Sequence, residues 1–514
     1  MKRASPSNLA LLQTILTYAN LAVSAISVPI LIAKLGAPTY GVFLMFMSLY
    51  SYLMLCDAGA SAAVHLLVAR ALAATQLDQG LSEVMRHSIV VSVTSCFVAI
   101  AAVIAYVSMV THGIIPTLVP GAENAKMMYY LLGVYAVVNM LFIPVHGLLF
   151  GAGDGQYLVL VTGASRIVAS LSSCIMALRP NPTIEMVFAP IPIATVIGNL
   201  ALLSHAHRIY GDVIKLRGPI KGQHVREQYA IGIKTMAYNS GRTLSSSASI
   251  FAIGRFLGPQ FVGGYSLSMT LLQMPLQLMT SWSATSTPRY GQQWWSGKRD
   301  EVRKQVGVML QLVISWVVFC GIIFLFLASP VVELWTSGAV RPSLWIIGAA
   351  IFVASVGTVS QTSQSAFMGI GQYWLQARTE IVIGALSMAL IPTGVWFYGE
   401  PGLMVSIAIV SILAIGWLFC KSLNGLIEDF RITIPRAILG RIAFVGLLSF
   451  AFTFVVKVVT WRVLSPLQPR VICAVSLSLI GNSILWIKTG PEPIREAIGR
   501  FLKKLYPGVI PNES

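Results

Sequence analysis

The chain has 514 residues, 56% of them hydrophobic and only 10% charged. A soluble domain carries about 25% charged residues, so the polar surface that would hold so long a chain in water is missing, and a soluble globular protein is excluded. The net charge of +17, from 35 Lys and Arg against 18 Asp and Glu, would suit nucleic acid in a soluble protein. Here the basic residues sit in short connections between apolar runs of about twenty residues, the length of a membrane span. The expected partner is the lipid bilayer and not nucleic acid.

In chain order, the apolar runs predict spans near 9–33, 40–68, 88–111, 127–149, 157–177, 185–205, 229–254, 261–287, 304–328, 343–369, 376–398, 402–420, 439–459 and 468–488. The first follows Lys2 and Arg3 as a signal peptide would. Its apolar run is too long for a signal h-region and reads as an uncleaved span. The second, seventh, eighth and tenth runs are rich in Ser, Thr, Gln and Gly, a composition that faces protein or water in preference to lipid. The fold class is therefore all-α, a polytopic membrane protein of about 14 transmembrane helices.

Lys and Arg set the orientation. One side collects Lys2, Arg3, Arg70, Arg86, the cluster from Arg208 to Arg226, Lys298 to Lys304 and the basic residues after 488. The other side holds few, among them Lys34, Lys126, Arg179 and Arg341. Positive loops stay inside, so both termini are expected in the cytoplasm. The loops on the outer side are short and leave no room for a domain there.

Two short matches suggest an internal repeat. Leu35-Gly36-Ala37-Pro38-Thr39-Tyr40-Gly41 follows the first span, and Leu257-Gly258-Pro259-Gln260-Phe261-Val262-Gly263 follows the seventh. Gly153-Asp154-Gly155-Gln156-Tyr157 joins spans four and five, and Gly369-Ile370-Gly371-Gln372-Tyr373 joins spans ten and eleven. Equivalent places at a similar offset predict two six-helix lobes pointing the same way. The resulting organisation is a lobe at 1–205, a basic cytoplasmic linker at 206–228, a second lobe at 229–420, two additional transmembrane helices at 421–488 and a cytoplasmic amphipathic tail at 489–514. In that tail Ile494, Ala497, Ile498, Phe501, Leu502 and Leu505 keep helical spacing.

Charges at mid-bilayer cost energy, so they line cavities or pair with one another. At about 1.5 Å per residue, Arg242 lies roughly 20 Å into span seven, Arg166 roughly 14 Å into span five, and Asp57 roughly 18 Å from the Arg70 end of span two. Arginine donates bidentately and never deprotonates, which suits an anionic group such as phosphate. Arg166 and Arg242 are thus candidates for binding an anionic cargo. Asp57 is a candidate for tuning an arginine or for ion coupling, and a purely structural ion pair is the alternative. Asn20 and Asn239, in the first span of each half, are candidate polar lining or interhelical hydrogen-bonding residues. His65 and His146 titrate in the neutral range when unperturbed and are candidate ion-coupling or cavity residues, with packing as the alternative. Pro29, Pro144, Pro190, Pro192, Pro275 and Pro392 mark hinges or static bends.

The six cysteines show no CxxC spacing and read as small apolar packing residues, so neither a disulfide framework nor a metal site is expected. There is no Gly-rich phosphate loop with Lys-Ser/Thr, no HExxH and no GxSxG, which argues against an enzyme and against direct ATP drive. No cofactor is expected.

The segment from Pro29 to Gly41 (PILIAKLGAPTYG) resembles a "basic-x-LG-x-x-x-YG" element. The Tyr-rich second span reaches Leu55-Cys56-Asp57-Ala58-Gly59, similar to an Asp-x-Gly element, and Arg255-Phe256-Leu257-Gly258 opens a second copy. Together they resemble the Wzx-type flippases of the multidrug/oligosaccharidyl-lipid/polysaccharide exporter superfamily. The resemblance implies two six-helix lobes around a central cavity in a bacterial inner membrane. It implies alternating access that moves polyprenyl-diphosphate-linked oligosaccharide outward for surface polysaccharide biosynthesis, with a polysaccharide polymerase and chain-length machinery as partners. Arg166 and Arg242 would then meet the diphosphate or acidic sugars. A multidrug/cation antiporter of the same superfamily, or a lipid II flippase, is the alternative. Mid-membrane bases outnumbering acids favours an anionic cargo. A membrane polymerase or ligase would need a larger outer loop.

Overall fold

A computed structural model describes residues 6–57, 59–73, 77–112, 119, 126–211, 218–427, 434–464 and 467–489. These residues form helices and turns, with no strand among them. The expected all-α, polytopic membrane architecture is what is found. The amphipathic pattern predicted for the tail falls on residues 490–514, outside the described residues.

Short sequence signals end and restart the helices. α1 (Pro6–Leu35) stops at Gly36, whose φ of 82° is open to glycine, and Pro38 in the first turn starts α2 (Ala37–Leu53). A single 3₁₀ turn, Met54–Asp57, leads to α3 (Ala60–Ala73) and then α4 (Leu77–Thr111). α5 (Lys126–Leu141) gives way to α6 (Ile143–Gly151) with Pro144 in its first turn, followed by α7 (Gly155–Ala177). Thr183 caps the short α8 (Ile184–Phe188), and α9 (Pro190–Tyr210) opens on proline. Pro144 and Pro190 therefore act as helix starts.

α10 (Gly222–Ala252) runs into a π-turn, Ile253–Leu257, which Gly258 closes at φ 114°. α11 (Pro259–Trp295), α12 (Arg299–Trp335), α13 (Leu344–Ile370) and α14 (Tyr373–Leu413) follow. A second π-turn at Ala414–Phe419 leads to α15 (Cys420–Asn424), then α16 (Arg436–Val463) and α17 (Leu467–Thr489).

Eleven helices among the described residues are long and apolar enough to cross a membrane. The sequence expectation of about fourteen also counts α10 and α11, which are too polar to qualify, and divides the long α14. That division has a physical basis. Gly399 takes φ 63° and ψ −137°, which no helix holds. A Cβ on Gly394 would lie 2.8 Å from the Gly402 carbonyl oxygen. Eight residues of straight helix span about 12 Å, so the chain must reverse there.

The chain forms two compact units, Met1–Gly263 with Tyr373–Ser406, and Gly264–Gln372 with Ile407–Ser514. In the first, Val64, Val68, Met140, Leu148, Leu149 and Leu202 build a core where α3, α4, α6 and α9 meet. Its seams are set by glycine. Gly147 faces the Val64 side chain, and a Cβ on Gly151 would lie 2.8 Å from the His65 carbonyl oxygen. In the second unit α12 is central, with Phe319, Ile323 and Leu327 packed against Ile442, Val445 and Trp486. Polar pairs stitch α16 to α17: Asn482 Nδ2 donates to Thr453 Oγ1 at 2.8 Å, and Trp486 Nε1 donates to Ser449 Oγ at 3.0 Å. Inside a membrane such bonds satisfy groups that lipid cannot.

The first repeat signal has a structural meaning. Gly36 and Gly258 both take positive φ immediately after a helix-ending leucine. Gly41 packs on the Pro259 backbone, and Gly263 lies against Tyr40, so the two copies meet. In the second match the register differs by two residues. The positive-φ glycines are Gly153 and Gly371, which makes Asp154 and Gln372 the corresponding helix caps.

Candidate functional site

The first unit holds a cavity of about 410 Å³, lined by Tyr50, Ser51, Met54, Leu55 and Asp57 on one side and by Met236, Asn239, Arg242, Thr243 and Ser246 on the other. The second wall is one stripe of α10. Asn239, Arg242, Thr243 and Ser246 stand at i, i+3, i+4 and i+7, so a single helix turned one way presents all four. This polar stripe is also why α10 looks poor as a membrane span by composition. Its partners explain how it is tolerated.

Glycine contacts fix α10 against its neighbours. Near its start, Gly59 in the α2–α3 turn abuts the backbone at Gly232, and a Cβ there would lie 3.0 Å from the Met236 amide nitrogen. Just past its end, Gly254 lies under the Met45 side chain. Between these two clamps the helices separate, and the cavity occupies the gap. On another face, α10 crosses α14 where Gly241 meets Glu380 and Gly384. Ser387 Oγ donates to Ser245 Oγ at 3.0 Å along the same seam. Tyr52 reaches from α2 to pack on Phe251, ring centroids 5.6 Å apart, with its hydroxyl 3.8 Å from Met388 Sδ.

Three of the sequence candidates are thus brought together: Asp57, Asn239 and Arg242. Arg242 and Asn239 keep exposed side chains facing the cavity. Asp57 is half-buried, and its carboxylate is partly spent on structure. Oδ1 accepts from the Gly59 amide at 2.8 Å, and Ser61 donates to it as well. These bonds cap the turn that begins α3. The Asp-x-Gly pattern therefore encodes an aspartate-capped turn whose glycine, at φ 72°, permits the close approach of α10.

Arg166, exposed on α7, does not line the cavity. It comes within electrostatic reach of Tyr50, which does. Tyr50 is in turn stacked on Tyr135, centroids 4.2 Å apart. Asn20 is absent from the lining, and its Nδ2 donates to the Leu16 carbonyl one turn back at 2.8 Å. His65 and His146 lie in the α3–α6–α9 packing. The His65 ring stacks on Phe150, centroids 4.8 Å apart, and His146 Nε2 pairs with Asn199 Oδ1 at 2.9 Å. Neither histidine lines the cavity.

Tyr50, Ser51, Thr243 and Ser246 were not singled out from the sequence. The spacing of Thr243 and Ser246 from Asn239 was the available signal. Glu380 also escaped notice: it lies near the start of α14, yet is only 5% exposed beside the α10 crossing.

Comparison with known proteins bears on the same region. Residues 156–290, which include α10, match a family model described as "Polysaccharide biosynthesis protein". No curated protein matches. Among solved structures, the lipid II flippase MurJ in an inward closed conformation superposes with a TM-score of 0.68 at 13% identity, covering 93% of this chain and 99% of that one. An inward-facing multidrug resistance MATE family transporter of the MOP superfamily gives a TM-score of 0.60 at 12% identity, covering 79% of this chain and 94% of the other. A MOP superfamily transporter from Pyrococcus furiosus, described as having a binding pocket of reverse polarity, gives 0.54 at 13% identity, covering 82% and 97%. The resemblance read from the sequence holds. The chain is a multi-pass helical membrane protein that shares the fold of these transporters, and its residues 156–290 are similar to the polysaccharide biosynthesis family.

Proposed function

We propose that the chain is a flippase that moves a polyprenyl-diphosphate-linked oligosaccharide across a bacterial inner membrane by alternating access, with both termini cytoplasmic. The observation that carries this reading is the cavity itself. A guanidinium that never deprotonates stands among Asn239, Thr243 and Ser246, whose hydroxyl and amide groups suit phosphate and sugar oxygens. A volume of about 410 Å³ falls within the usual range for small-molecule sites, about 300–1,000 Å³, and accommodates a diphosphate with part of a sugar. Arg242 is the proposed diphosphate anchor, and Asn239, Thr243 and Ser246 the polar wall. Arg166 is proposed to add positive field through Tyr50. Asp57 is proposed to orient the turn opposite Arg242 and to bias the field of the cavity. Asn20, His65 and His146 are better read as packing residues, since their contacts lie elsewhere. The six-plus-six lobes with two additional helices, and a polymerase that receives the flipped unit, belong to the same proposal.

The test is genetic. Arg242→Ala should abolish surface polysaccharide while the protein stays in the membrane at its normal level. Normal polymer from that variant would overturn the assignment of the cavity.

The superposition with a lipid II flippase over most of both chains supports a second reading, in which the cargo is lipid II. Its chemistry is a polyprenyl diphosphate too. Rescue of a strain depleted of its lipid II flippase would establish that reading; rescue of a strain lacking its polysaccharide flippase would establish the first.

A further inference from the structure

A second polar cluster ties α4 to the start of α10 and takes no part in the cavity described above. At its centre is His87 on α4, 2% exposed. Its Nδ1 lies 2.7 Å from the Glu83 carbonyl oxygen, one turn back. Its Nε2 lies 3.0 Å from the backbone nitrogen of Lys221, the residue that precedes α10. A carbonyl only accepts and an amide only donates. Both bonds exist together in one form alone, the neutral ring with its proton on Nδ1. A second proton, on Nε2, would set N–H against N–H and leave a buried charge where an acceptor had been.

The groups facing this ring come from each element packed on it. α4 supplies Glu83 and Arg86. The Glu83 carboxylate lies 3.1 Å from Lys221 Nζ and 3.4 Å from His224 Nε2. The Arg86 guanidinium packs over Gly218, whose φ of 145° and lack of a side chain admit it. α10 supplies His224 and Glu227, 3.7 Å apart, and the His224 ring centre is 5.3 Å from that of His87. α3 contributes Leu67 and Ala71, which carry no charge. A cavity of about 270 Å³, lined by Glu83, His87, His224 and Glu227, brings these groups together. Beside the ring, Gln228 Nε2 donates to Ser88 Oγ at 2.7 Å, a buried bond that does not titrate.

The two histidines therefore differ. His224 is paired with carboxylates and keeps its pairs when it takes a proton. His87 bridges a carbonyl and an amide, and loses one of them. The geometry points to a proton-operated latch in which neutral His87 holds the first turn of α10 on α4 and protonated His87 releases it. The latch closes as pH rises and opens as pH falls. Gln228–Ser88 confines the release to the residues before it. The released end belongs to the helix whose stripe lines the cavity, so the latch controls how firmly that wall is anchored. This inference requires no particular cargo.

The test is hydrogen–deuterium exchange on the full-length protein in lipid nanodiscs, reading the peptides that cover 219–229. Rates are corrected for intrinsic exchange at about pH 7.5 and about pH 4.5, a range that reaches below ordinary histidine titration because both bonds favour the neutral ring. Losing one such bond should lower protection in the wild type by about five- to tenfold on acidification. His87→Gln, whose amide oxygen accepts without titrating, should hold the same protection at both pH values. His224→Gln should retain the wild-type drop. Equal protection of the wild type at both pH values would overturn the latch, whether or not the variants fold. So would a full drop in His87→Gln, or its loss in His224→Gln, which would assign the trigger to the surface ion pairs.

Discussion

In the first unit α10 meets α14 backbone against backbone, and Gly241→Ala tests how much the molecule depends on that crossing. A Cβ at this position would lie 2.5 Å from the Ile381 amide nitrogen and closer still to the Glu380 carbonyl group. Across the same crossing, a Cβ on Gly384 would lie 2.6 Å from the Gly241 carbonyl oxygen. The obstacle is backbone on both sides, so no side chain can swing away. Restoring ordinary van der Waals contact requires the helices to part by about 1 Å, which forfeits a quarter to a half of the dispersion attraction at the contact. Overpacking of this kind typically costs about 1–3 kcal/mol. Arg242 is the next residue, so the same shift displaces the cavity's central charge. The assay is thermal unfolding of purified protein in detergent, with Gly357→Ala alongside. Gly357 sits within α13 with nothing within 4 Å of its would-be Cβ. There alanine should stabilise by about 0.5–1 kcal/mol through helix propensity. The expectation is opposite signs: a lower melting temperature for Gly241→Ala and an equal or higher one for Gly357→Ala. A Gly241→Ala protein as stable as wild type would refute the crossing as described.

Three further outcomes follow from particular contacts. Asp57→Ala removes the acceptor that caps the turn before α3, and should lower stability by about 1 kcal/mol in the same melting assay. Asp57→Asn keeps an acceptor oxygen and should recover most of that loss. Gly59→Ala combines a φ of 72° with backbone contact to Gly232, and should reduce the amount of folded protein recovered by size-exclusion chromatography more than Asp57→Asn does. Asn482→Leu leaves the Thr453 hydroxyl without its donor and severs a bond between α16 and α17. It should cost about 1 kcal/mol, given the measured range for hydrogen bonds between membrane helices. Surface polysaccharide should be retained in that variant, because Asn482 belongs to the second compact unit and does not line the cavity.

Much of the architecture is legible in the chain because its causes are local. Apolar runs long enough to cross a bilayer, basic residues between them and glycines after leucine each act over a few residues. Gly36 and Gly258 end their helices for reasons visible in the sequence, since only glycine takes that backbone conformation easily. Arg242 and Asn239 were identifiable because charge and amide groups deep in a span demand a reason. The sequence did not decide which polar residues share a space. Asn20 and Asn239 look alike as letters, yet Asn20 turns back on its own helix while Asn239 faces the cavity. His65 and His146 carry the chemistry of a proton site but are held by Phe150 and Asn199, whereas His87 has its two ring nitrogens committed to a carbonyl and a backbone amide. The difference is tertiary. Glycine backbones at Gly59, Gly241 and Gly254 decide where α10 may touch its neighbours and where it must stand apart, and a glycine in a sequence does not say which backbone will lie against it. Hydropathy set which segments enter the membrane, and close backbone packing set which side chains meet there.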